Sequence, residues 1–97
     1  MNDTLIGFAL IEPKPEHFAD ARAAIRAIQP ATLAEPGCHQ FVLHADEDAG
    51  LLYLYEEWAD AGALATHHAQ DYTKAVFASY EHWLAAPVRF ETMARLA

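Results

Sequence analysis

Five residues stand out as candidates to hold a proton or hydrogen-bond a ligand in an apolar setting: His67, His44, Glu56, Trp58 and Tyr72. Imidazole titrates near neutral pH, so a neutral histidine on an inward face can take a proton from a hydroxyl. His67 follows Ala63 and Leu64 at helical spacing, which sets it on the inward side of a helix. His68 stands next to it, and successive helical residues point about 100° apart, so the two are not expected to line one pocket. His44 closes a strand, shares parity with Cys38, Gln40 and Val42, and is read as the alternative pocket-facing base. Glu56 sits in an apolar strand and needs a hydrogen-bond partner, an ion pair or a raised pKa; a helix N-terminus or an arginine is the expected partner. Tyr72 opens an apolar helical stripe, where it either hydrogen-bonds a ligand oxygen or serves as ordinary core.

These residues hang on a hairpin. The stretch Glu35–Trp58 reads as two strands, Cys38 to Ala45 and Leu51 to Trp58, joined by the turn residues Asp46-Glu47-Asp48-Ala49-Gly50. Pro36-Gly37 closes the segment before it. The second strand is apolar on both parities, Leu52 and Leu54 on one and Leu51, Tyr53 and Tyr55 on the other, so both faces of its sheet must be covered.

Around the hairpin, Thr4 to Glu12 reads as a buried strand in which Gly7 permits either tight packing or a close backbone approach. Pro15 to Ala34 reads as a helix with Phe18, Ala21, Ile25 and Ile28 on one side; Pro30 should kink it or end the regular part. Asp60 caps a short helix over Ala61 to His68, and Asp71 is a suitable cap for Tyr72 to Ala85. Val88 to Leu96 alternates as a last strand near an edge. The order β-α-β-β-α-β predicts an α+β, ferredoxin-like antiparallel sheet with helices on one face. Nothing in the chain remains to cover the face carrying Tyr53 and Tyr55. A second copy is the economical cover, giving a C2 homodimer with a barrel-like core.

Composition narrows the partners. The 97 residues predict a single domain, 1–97, with a 54% hydrophobic fraction that suggests a pocket or interface besides the core. Six basic against fourteen acidic residues argue against nucleic acid and anionic membranes. One cysteine excludes an internal disulfide and points to the cytoplasm. No transmembrane stretch or signal peptide is evident. The chain has six histidines, but His67-His68 has the wrong spacing for a helical metal pair, and no Gly-rich phosphate loop occurs; neither metal nor cofactor is expected.

The run PATLAEPGC, the following Phe41, the strand ending YEEW and the segment from His67 to Phe77 resemble the antibiotic biosynthesis monooxygenase family over nearly the whole chain. The resemblance implies a dimeric α/β barrel and cofactor-independent oxidation of quinol or polyphenol-type aromatics in a pocket between helices and sheet. By analogy with that family Trp58, and with it Glu56, faces the helices; on the residue reading His67 or His44 is the base and Trp58, Tyr72, Phe41 and Phe77 are the walls. Haem-degrading relatives use a histidine, a tryptophan and an asparagine; Phe77 and His67 stand near the first two positions and the only asparagine is Asn2, so haem chemistry is not expected. Two other uses of the fold stay open: a non-catalytic barrel binding a small hydrophobic ligand, and an isomerase or decarboxylase needing no O2.

Overall fold

The computed structural model describes residues 4–97, so Asn2 lies outside the described residues. The chain forms β1 (Leu5–Ile11), a 3-10 turn (Pro15–His17), α1 (Phe18–Leu33), β2 (Cys38–Asp46), β3 (Leu51–Trp58), α2 (Ala61–His68), α3 (Asp71–Trp83) and β4 (Arg89–Met93). The four strands make one antiparallel sheet in the order β2-β3-β1-β4, the ferredoxin-like arrangement, and the sheet is not closed.

Burial follows the sequence pattern where the pattern is periodic. In β3 the buried positions are Leu52, Leu54, Glu56 and Trp58, strictly alternating with half-buried Leu51, Tyr53, Tyr55 and Glu57. Ala21 and Ile25 of α1, Leu64 of α2, and Val76 and Tyr80 of α3 pack on that buried set as one core. On the far face, Phe8 and Tyr53 meet with ring centroids 5.7 Å apart, and among the described residues no helix covers them.

Three boundaries differ from the sequence reading. Helix α1 runs through Pro30 to Leu33. A proline so near the end removes one backbone donor while the last turn still closes, Ala34 N–H donating to the Pro30 carbonyl at 3.1 Å. Helix α3 stops at Trp83, before Ala85, because the chain there pairs with the segment after β1: Lys14 N–H donates to the Trp83 carbonyl and Ala85 N–H to the Glu12 carbonyl, both at 2.8 Å. Strand β4 ends at Met93 rather than Leu96, where its partner β1 runs out at Ile6 and Leu5. Asp60 does cap α2, accepting from Ala63 N–H at 2.8 Å, whereas α3 is preceded by Gln70 with no side-chain cap and Asp71 is already helical.

Candidate active site

Between the helices and the buried face of the sheet lies a cavity of about 40 Å³. Its walls are mainly aliphatic and aromatic, and the titratable groups among them are Glu56, His67, His68 and Tyr80. Tyr80 lies within the apolar stripe of α3; burial, and then the Glu56 charge, push its phenol pKa upward.

His67 is buried at 4% exposure, in the last turn of α2. Its Nδ1 lies 2.8 Å from Glu35 Oε2, itself buried between α1 and β2. The same Glu35 oxygen accepts from the Tyr72 hydroxyl. A carboxylate at Nδ1 favours the tautomer with its proton there, so in the neutral ring Nε2 carries the lone pair. Thr73 stands 3.5 Å from Nδ1, and Trp58 lies against the ring with centroids 4.7 Å apart. The imidazole is thus held from behind and from one side.

Glu56 is the second buried acid of this region, at 4% exposure. Its partner is neither a helix N-terminus nor an arginine: Trp58 Nε1 donates to Oε1 at 3.0 Å. Burial pushes its pKa up to about 7, against the Trp58 hydrogen bond that favours the anion, with the Glu35 charge adding to the rise.

The structure redistributes the sequence-predicted residues. His67, Glu56, Phe41 and Phe77 all line the cavity, Phe77 with 45% of its surface exposed. Trp58 does not: it is completely buried, and its N–H is taken by Glu56. Tyr72 also lies outside the cavity wall, because its hydroxyl is turned to Glu35; burial, then that hydrogen bond, push its pKa up to about 12. His44 is displaced altogether. A bulge between Cys38 and Gln40 breaks the parity that linked them, so Cys38 pairs with Trp58 while His44 pairs with Tyr53 on the open face. Phe41, opposite Glu56, is the β2 residue that reaches the cavity.

His68 corrects a second expectation. It lines the same cavity as His67, at its exposed rim, edge-on to Phe77 and Phe90 at 5.8 and 6.1 Å between ring centroids. A cavity that wraps the end of a helix can touch residues about 100° apart. Burial and then the neighbouring His67 lower the His68 pKa, against the Glu35 charge that raises it.

Glu35 is the candidate-site residue that sequence reasoning missed. It stands in the EPGC run, where Pro36 and Gly37 explained the turn and left the acid without a role. Gly37 is what lets α2 approach, since a Cβ there would lie 2.3 Å from Ala63 Cβ. Gly37→Ala should therefore shift α2, lower stability by about 1–3 kcal/mol and loosen the His67–Glu35 contact; thermal melts and the His67 imidazole NMR signals check this. Gly7 has a packing reason of the same kind: a Cβ there would lie 2.7 Å from the tip of the Phe90 ring, a cavity wall. Among the described residues no group of three His, Cys, Asp or Glu is placed to hold a metal ion.

Fold and site together define a ferredoxin-like α+β protein with an apolar cavity into which the buried His67 and Glu56 are built. Residues 5–79 match the antibiotic biosynthesis monooxygenase family, and the chain belongs to it. Rv0793 of Mycobacterium tuberculosis, provisionally named a monooxygenase, is 31% identical over 100 residues, covering 99% of this chain and 95% of the relative. Its structure superposes with a TM-score of 0.91 at 28% identity, over 97% of this chain and 96% of that one. PA3566 of Pseudomonas aeruginosa gives 0.91 at 32% identity, over 100% and 98% of the two chains. A conserved protein of Methanosarcina mazei Go1, 23% identical with a TM-score of 0.89 over 98% and 95% of the chains, shares the fold.

Proposed function

We propose that the protein is a cofactor-independent monooxygenase that oxidises a small electron-rich aromatic of the quinol or polyphenol type with O2. The observation that carries this reading is His67, buried, held at Nδ1 by Glu35 and lining an apolar cavity. In such a setting the imidazole takes the phenolic proton, and the phenolate supplies electrons to O2 directly, so the chemistry needs neither metal nor flavin. Phe41 and the aliphatic walls hold the ring, and a substrate larger than the cavity of about 40 Å³ requires displacement at the rim formed by Phe77 and His68. Trp58 and Tyr72 act from behind, Trp58 on Glu56 and His67, Tyr72 on Glu35.

Oxygen uptake measured against a panel of hydroquinones tests the reading, with consumption above the uncatalysed rate expected for at least one. Uptake no faster than buffer across the panel, together with thermal stabilisation by the same compounds, would favour a barrel that only binds. Turnover that persists without oxygen would favour an isomerase or decarboxylase.

The working unit in this proposal is a homodimer. Phe8, Val42, Tyr53 and Tyr55 form a half-buried apolar surface on the uncovered face of the sheet, suited to a second copy. Light scattering should return twice the chain mass of 10.8 kDa. Tyr53→Asp should weaken association on the order of a hundredfold, because an unpaired carboxylate enters the interface; a wild-type monomer at micromolar concentration would remove the dimer from the proposal. No helix among the described residues is long and apolar enough to cross a membrane. The lone Cys38, whose thiol pKa is pushed up to about 11 by burial and then by Glu35 and Glu56, fits a reducing, cytoplasmic setting.

A further inference from the structure

Glu56 has no structural reason to be a carboxylate. It is buried, lines the cavity and meets no lysine or arginine in its walls. Its surroundings are Glu35 and Cys38 before and at the start of β2, His67 and His68 of α2, and Thr73 and Tyr80 of α3. None of these carries a fixed positive charge. Oε1 is engaged by the Trp58 indole, which leaves Oε2 as the oxygen available to a ligand. A glutamine would satisfy the same indole N–H without the cost of a buried ionisable acid.

We propose that Glu56 is a second catalytic residue, the acid that protonates the peroxide formed when O2 adds to the ring and the base that then removes the ring proton. The assignment rests on the monooxygenase reading above and divides its proton traffic between two groups. His67 takes the proton of the substrate hydroxyl. The phenolate gives two electrons to O2, and a C–O bond forms at the ring carbon ortho to the oxygen, leaving that carbon with its hydrogen and a peroxide anion. The Glu56 carboxyl protonates the distal peroxide oxygen. The resulting carboxylate removes the hydrogen from the same carbon; the C–H pair becomes the carbonyl bond, the O–O bond breaks, and the departing hydroxide takes the proton back from His67. A hydroquinone and O2 thus give a hydroxyquinone and water, and both residues return to their starting states. A carboxyl pKa of about 7 suits both directions of transfer.

The experiment is oxygen uptake and product analysis with methylhydroquinone, comparing the wild type, Glu56→Gln and Glu56→Asp. Glu56→Gln should lower kcat by at least about a hundredfold with KM little changed, and should release hydrogen peroxide in place of hydroxyquinone and water. Glu56→Asp, which keeps an acid on a shorter arm, should recover part of kcat and of the hydroxyquinone yield. Circular dichroism and thermal melts of each variant separate lost chemistry from lost fold; if Glu56→Gln is unfolded, the partial activity and altered peroxide yield of Glu56→Asp still decide. Wild-type kcat and hydroxyquinone yield in folded Glu56→Gln would overturn the role of Glu56 and leave the monooxygenase standing. Absence of oxygen uptake in the wild type across the hydroquinone panel would overturn both.

Discussion

Replacing His67 by asparagine should lower turnover of a hydroquinone substrate by about 10² to 10⁴, the range for loss of a positioned general base. Asparagine is the informative variant because its amide N–H can still donate to Glu35 while offering no basic nitrogen. Alanine would leave the buried Glu35 carboxylate with only the Tyr72 hydroxyl and should cost about 1–3 kcal/mol of stability besides activity. Glu35→Gln should reduce kcat with little change in KM. A glutamine amide that donates to Nδ1 moves the imidazole proton to Nε2, the nitrogen that must be free. His68→Ala should instead raise KM modestly and leave kcat near wild type, since His68 contributes rim contacts with Phe77 and Phe90. Stopped-flow and steady-state oxygen uptake separate the two patterns. Full activity in His67→Asn would remove the histidine base from the proposal.

A second large effect concerns stability. Glu56 holds its proton up to a pKa of about 7 in the folded chain, against 4.5 as its ordinary value. Below pH 4.5 folded and unfolded chains are both protonated and the group contributes no difference. Between these values the unfolded chain ionises first while the native chain keeps its proton, so native stability falls as pH rises. The loss levels off above pH 7 at roughly 3 kcal/mol. Glu56→Gln should therefore raise the melting temperature at pH 8 by roughly 12–24 °C relative to its effect at pH 4.5. A difference between wild type and variant that does not change with pH would mean that water reaches the carboxyl and solvates its anion. Paired with the activity test, the expected result is a variant more stable at alkaline pH and catalytically poorer, the usual relation between a strained site and its function.

The sequence by itself determined the element order, the faces of β3 and α1, the Asp60 cap and the inward position of His67, because each is written in a short-range period. Leu52, Leu54, Glu56 and Trp58 alternate as a strand must, and Ala21, Ile25 and Ile28 recur as a helix requires. The short motifs of the hairpin also carried the family. The arrangement of the candidate site was a different matter. Glu35 and His67 lie 32 residues apart, and no local period links them; only packing α2 against the turn at Gly37 brings them to 2.8 Å. His44 left the site because one bulge residue between Cys38 and Gln40 reversed the parity of the rest of β2, an event without a distinctive residue to announce it. Trp58 and Tyr72 changed from cavity walls to supports for the same reason of scale. A sequence can say that a side chain points inward, but which of several inward groups claims its hydrogen bond is decided by distances that exist only in the folded chain.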